Sequence, residues 1–177
     1  MVRPPFDEPD PKDLEVVSIQ LGRPARGVIG IAARCRCGAP TVVATAPQLE
    51  DGTPFPTLYY LSHPAATAAV SQLEANGQMA SFNDLLFQDE RLRLEYRNAH
   101  ESYLRDRESL GVVHEIEGIS AGGMPTRVKC LHALVAHSLA VGAGINPIGD
   151  RALELATWSP DECACQLTEP TQSQADR

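Results

Sequence analysis

"GVIGIAARCRCGAPTVVATA", residues 27–46, decides how the rest of the chain can fold. Residues 27–34 and 40–46 are two β-favouring runs, and the link between them, "CRCGA", contains Gly38, whose backbone freedom suits a tight connection. The pattern predicts a hairpin with Cys35 and Cys37 at its tip. After a loop rich in Pro and Gly, "TLYYLS" (57–62) supplies a third strand. "HPAATAAVSQLEANG" (63–77) then follows as a helix, with Pro64 in its first turn and Gly77 as its C-terminal cap. His63 stands at the strand-to-helix junction.

From about Asn83 to Ser109, Leu85, Leu92, Tyr96, Ala99 and Tyr103, with Leu110 beyond, recur at steps of three, four or seven. That periodicity predicts one long amphipathic helix, and its Arg-, Asp- and Glu-rich side reads as a solvated face laced with same-helix ion pairs. A shorter helix is expected from Asp13, closed by Gly22. "GISAGGMP" (118–125) reads as a flexible connector, and "TRVKCLHALVAHSLAVG" (126–142) and "NPIGDRALELATW" (146–158) as two further helices. The expected fold is α+β, a small antiparallel sheet of about three strands with the helices of the second half packed on one face. One domain over 13–158 is expected, flanked by disordered acidic tails at 1–12 and 159–177.

Apolar residues make up 43% of the 177, enough for a core without disulfides. The net charge is −8, of which the two ends carry −6, so the body is close to neutral. No basic stripe marks a nucleic-acid binder. No apolar run approaches the ~20 residues that span a bilayer, and the start lacks the pattern of a signal peptide, so a cytoplasmic protein is expected. Five cysteines, an odd number in a reducing compartment, argue against a disulfide framework and leave metal binding, reactive thiols or burial.

Three stretches contain no acid: Val16 to Leu49, Gly52 to Leu73 and Gly118 to Gly149. They hold Cys35, Cys37, His63, Cys130, His132 and His137. If they converge, thiolate and imidazole meet without carboxylate, which suits zinc, with an iron–sulfur cluster as the other option, and disfavours magnesium or calcium. His137 lies seven residues from Cys130, about 10 Å along a helix, too far for both to reach an ion held at ~2.0 to 2.3 Å. Cys130 and His132 point about 200° apart on a regular helix, so they can share an ion only at a helix start. Spacing therefore suggests Cys35, Cys37, Cys130 and His132 as ligands, with His63 as a replacement. His100 and His114 read as surface or otherwise satisfied residues. Cys163 and Cys165 lie in the expected tail and read as dispensable thiols, although a second Cys-x-Cys can also complete a metal site.

An anion site is a second expectation. Gly122 and Gly123 lead to a helix start with Arg127 and Lys129 in its first turn, and Arg34 and Arg36 flank Cys35, so a phosphate-containing small molecule is a candidate ligand. The two arginines can also lower the pKa of Cys35, but no base is positioned by the sequence to make it a catalytic nucleophile.

"RGVIGIAARCRCGAPTVV", "PFPTLYYLSHP", "GISAGGMPTRVKCLHALVAHSLAVG" and "NPIGD" together resemble the bacterial, largely actinobacterial family known as domain of unknown function five-hundred-and-one, over roughly residues 13–155. The resemblance implies no established activity. It implies that some branches carry Cys where His63 stands and an aromatic where Cys37 stands, which favours Cys35, His63, Cys130 and His132 as the metal set, with Cys37 as substitute. It also implies a gene setting near a septum-formation initiator and a phosphatase, and so a link to cell division. The expected function is a cytoplasmic Cys/His metal site, zinc, with a structural or protein-partner role. A metal-dependent hydrolase acting on a phosphate-containing substrate is the enzymatic alternative, and a metal-free interaction protein the third.

Overall fold

The computed structural model describes residues 6–163 and 165. Strands β1 (Val28–Arg34) and β2 (Pro40–Thr45) form the expected antiparallel hairpin. Its tip is a tight turn: the Gly38 N–H donates to the Cys35 carbonyl at 2.8 Å and the Cys35 N–H to the Ala39 carbonyl at 3.0 Å. Gly38 sits at φ +83°, a conformation that a residue with a Cβ rarely adopts. Strand β3 (Tyr59–Leu61) pairs with the other edge of β2, giving the order β1-β2-β3.

The central strand is buried at every position. Alternation along it explains how: Val42 and Ala44 enter the main core, and Val43 points the other way against Val17 and Ile31. Val17 belongs to α1 (Pro11–Leu21), whose N-terminus is closed by a reciprocal capping box between Asp10 and Asp13. The α+β expectation holds, with α1 adding a small apolar patch on the face opposite the main core.

That core is built from α2 (Pro64–Ala75), α3 (Gln78–Gln88), α4 (Glu90–Glu108), α5 (Leu131–Val141) and α6 (Pro147–Leu155), with a short 3-10 turn at His114–Ile116. The single long helix expected over 83–109 is two helices. Asp89 takes an extended conformation (φ −112°, ψ 105°), and its carboxylate caps α4 by accepting from Leu92 N–H at 3.0 Å. The break rotates the apolar face, so Phe82 and Leu86 are buried in α3 while Leu85 is exposed. Helix α5 starts later than expected, because the Lys129 and Cys130 N–H groups donate to the Gly122 carbonyl instead of entering a helix. Among the described residues no helix is long and apolar enough to cross a membrane.

On either side of the expected 13–158 domain, the described residues are fixed to the body: Asp7 bridges to Ile31, and Arg36 N–H donates to Pro160 C=O at 2.8 Å. The rest of the expected tails, 1–5, 164 and 166–177, lies outside the described residues.

Helix α5 is buried on almost all sides and is the axis of the molecule. Helix α6 comes so close to it that a Cβ on Gly149 would lie 2.3 Å from the Leu134 carbonyl oxygen and from Ser138 Oγ. Arg107 on α4 is 2% exposed and donates to three carbonyls, of Pro56 (3.0 Å), Ile116 (2.7 Å) and Ile119, so it fastens two loops to the helix. His137 on α5 is fully buried, stacked on Tyr59 and edge-on to Tyr103. The Asn146 amide donates to its Nδ1 at 3.2 Å, while Asn146 Oδ1 accepts from Gly149 N–H at 3.0 Å, which fixes the amide's orientation and leaves the imidazole proton on Nε2.

Two measurements check this packing. Gly149→Ala should force α5 and α6 apart and destabilise by about 1–3 kcal/mol, read as a fall of several degrees in thermal midpoint; an unchanged midpoint would contradict the close approach. Burial pushes His137 down to about 4. The unfolded chain therefore binds a proton near pH 6.5 that the folded chain refuses, so the stability from the neutral ring is complete above pH 6.5 and declines as pH falls towards 4. The loss at pH 4 is on the order of 3 kcal/mol. Denaturant unfolding of His137→Gln should show a shallower decline between pH 6.5 and 4.5 than the parent; equal slopes would exclude a buried neutral His137.

Candidate metal centre

The hairpin turn, the start of α2 and the segment after α6 meet at one point. The turn pins the Cys35 backbone from both sides, as described above. His63 is the N-cap of α2, with Pro64 at the first helical position, so the ring is held at the β3–α2 junction as the sequence predicts. Beyond α6, Trp158 packs on the His63 ring at 5.3 Å, and Cys37 Sγ donates to the Cys163 carbonyl at 2.9 Å. These contacts bring Cys163 and Cys165 onto the hairpin tip.

The ligand atoms of Cys35, His63, Cys163 and Cys165 all lie within 4.8 Å of one another, and this group can hold a metal ion. Cys35 Sγ is 3.6 Å from Cys165 Sγ, and Cys163 Sγ is 3.5 Å from His63 Nε2. Cys35, Cys163 and His63 are buried, and the group contains no carboxylate. Burial lowers the pKa of His63, which keeps the imidazole neutral and able to ligate. Burial first, then the hydrogen bond to Cys35, hold the Cys165 thiol far above its ordinary value, whereas at Cys163 burial is outweighed by the contacts with Trp158 and Cys165 that lower it, so it is the ionisation of Cys165 that awaits a cation. Ala66 N–H caps onto His63 Nδ1 at a long 3.4 Å. Coordination through Nε2 would put the ring proton on Nδ1 and release that cap, a loss of about 1 kcal/mol that metal binding far exceeds. A surface cleft of about 260 Å³, lined in part by Trp158, Glu162, Cys163 and Cys165, borders the group and offers an entry path.

The four ligands expected from the sequence, Cys35, His63, Cys130 and His132, are not brought together. Cys130 and His132 form a second group with Glu74, whose ligand atoms again lie within 4.8 Å of one another. Helix α2 separates the two groups: His63 is its N-cap and Glu74 stands eleven residues on, about 16 Å along the axis. Cys37, the expected substitute, is exposed and bonds the Cys163 carbonyl instead. Cys163 and Cys165, read from the sequence as dispensable, make up half of the group at the hairpin tip. The Cys-x-Cys spacing was their one signal, and position in the chain gave no way to know that this segment folds back.

The expected anion site is also divided. Arg34 is engaged by Asp13, with both contacts at 2.7 Å, and Arg36 is exposed near the hairpin tip. Gly122 and Gly123 fold tightly against residues 127–130: a Cβ on Gly123 would meet the Arg127 carbonyl oxygen at 2.6 Å. Arg127 and Lys129 are exposed. The anion at the start of α5 is the protein's own, since Glu74 Oε1 accepts the Leu131 N–H at 2.7 Å. His100 bonds Ser120 Oγ at 2.8 Å, and His114 is exposed beside Glu117.

A family model described as "Protein of unknown function (DUF501)" matches residues 31–154, well over half of the chain. Cys35 and His63 fall inside the matched segment; Cys163 and Cys165 fall beyond it. No curated protein and no solved structure matches the chain. The chain belongs to the DUF501 family.

Proposed function

We propose that this protein is a zinc-stapled domain in which Cys35, His63, Cys163 and Cys165 form a closed, structural four-ligand site. The two short contacts carry this reading. Four donors around one zinc form a tetrahedron, and bonds of ~2.3 Å to sulfur and ~2.0 Å to nitrogen require edges of about 3.8 Å between sulfurs and about 3.5 Å between sulfur and nitrogen. The Cys35–Cys165 and Cys163–His63 contacts, at 3.6 and 3.5 Å, are opposite edges of such a figure. Three thiols and an imidazole are the donors zinc prefers over harder cations. When bound, the ion would supply cross-linking; hydrolysis would need an open coordination position, and four protein donors leave none. A cytoplasmic setting, which keeps the thiols reduced, is part of the same proposal.

Elemental analysis of the purified protein is expected to give one zinc per chain, with an absorption spectrum free of iron–sulfur bands. Cys35→Ala and Cys163→Ala should each lose the ion, and Cys130→Ala should keep it. One equivalent of zinc surviving Cys163→Ala would overturn the assignment. The tie joins residues 130 apart in sequence, so its removal loosens a loop comprising most of the chain. Chelation at neutral pH should therefore lower the thermal midpoint by on the order of 10 °C. A midpoint indifferent to chelator would deny the site a structural role.

A further inference from the structure

The second group is different chemistry. Cys130 is the N-cap of α5, an eleven-residue helix, and is only half-buried. His132 Nε2 lies 3.2 Å from the Thr67 carbonyl oxygen and 3.1 Å from Ser71 Oγ, and its Nδ1 lies 3.2 Å from Glu74 Oε1. The carbonyl and the carboxylate only accept and the Ser71 hydroxyl can accept as well as donate, so this shell accommodates a proton on each ring nitrogen, and the carboxylate at Nδ1 favours the imidazolium. Cys130 Sγ lies 4.0 Å from Nδ1 of that cation. Two features thus favour a thiolate at Cys130, the adjacent imidazolium and the N-terminus of α5. The charged groups facing the thiol are His132, which favours ionisation, and Glu74, which opposes it and also holds the imidazolium in place. The shifts run the same way: the hydrogen bond to His132 lowers Cys130, and the contact with Cys130, followed by Glu74, raises His132 to about 9 against the effect of burial. A metal ion here would have to displace a ring proton and break its bond to Thr67 or Glu74, so this group suits a charged pair better than a ligand set.

We propose that Cys130 is a reactive thiolate and a site of oxidation by hydroperoxides, held ready by His132 and Glu74. The thiolate sulfur attacks one peroxide oxygen, forming an S–O bond as the O–O bond breaks. The leaving oxygen departs with the bonding pair and takes a proton from water. Sulfur is oxidised by two electrons to a sulfenic acid and the hydroperoxide is reduced to water or an alcohol. Oxidation removes the negative charge facing His132, so it acts directly on the contact between the start of α5 and α2.

The test uses the full-length protein as purified, with alkylation by iodoacetamide followed by peptide mass spectrometry. Exposed Cys37 is the internal reference. Cys130 should react with a pH midpoint below the ~8.5 of a free thiol, and roughly tenfold faster than Cys37 at pH 6.5. His132→Gln should raise the midpoint and remove most of that advantage. Hydrogen peroxide with a dimedone trap should label Cys130 and leave Cys37 unlabelled. A wild-type midpoint at or above the free-thiol value, an unchanged rate in His132→Gln, or the absence of sulfenic acid at Cys130 would overturn the proposal, as would a metal ion that Cys130→Ala removes. If His132→Gln does not fold, the wild-type pH profile decides alone.

Discussion

Three pieces of chain far apart in sequence are brought to one point by the contact of Cys35, His63, Cys163 and Cys165. The hairpin tip alone is two strands and a turn, which is marginal in water. Docking of the start of α2 and of the segment beyond α6 encloses that tip, and Trp158 closes it over. Buried or half-buried thiols and an imidazole gathered without a carboxylate have weak attraction for one another. In the proposed site a cation of soft preference would turn that weak contact into a strong one, by ionising the remaining thiols and giving every donor a common centre.

Helix α2 carries a member of each special group, one at either end. At its start, His63 is neutral, desolvated and surrounded by sulfur. Near its finish, Glu74 accepts from the first turn of α5 and lies 3.2 Å from His132 Nδ1, where its charge favours a protonated ring and so the proposed thiolate–imidazolium pair over metal ligation. One carboxylate makes the difference. The surrounding core is conventional in its demands: α5 lies buried against the sheet, Gly149 allows α6 to approach it, and Arg107 satisfies loop carbonyls that would otherwise be buried without partners.

Much of the fold was legible in the sequence. Alternating β-formers around Gly38, the run at 57–62, Pro64 at a helix start and Asn146-Pro147 before α6 are local signals with local causes. The break at Asp89 was hidden because an N-capping aspartate inside a strongly periodic stretch looks like one more charge on a solvated face. The candidate site was half legible. Cys35 and His63, both expected near a metal site, do lie in the Cys/His group, because the hairpin and the junction that hold them are local structures. The expected partners, Cys130 and His132, lie in a different group, because which distant segment folds back onto the hairpin tip is not a local property and the Cys-x-Cys near the chain end carries no signal of its own destination. Glu74 could not be found from acid-free stretches at all, since it lies just outside one of them.

The central claim is a single ion held by three sulfurs and one nitrogen. X-ray absorption at the zinc edge on the purified protein tests it most directly. A first shell of three sulfurs at ~2.3 Å and one imidazole nitrogen at ~2.0 Å is the expected result. A shell with two or fewer sulfurs, or one containing oxygen ligands, would contradict it.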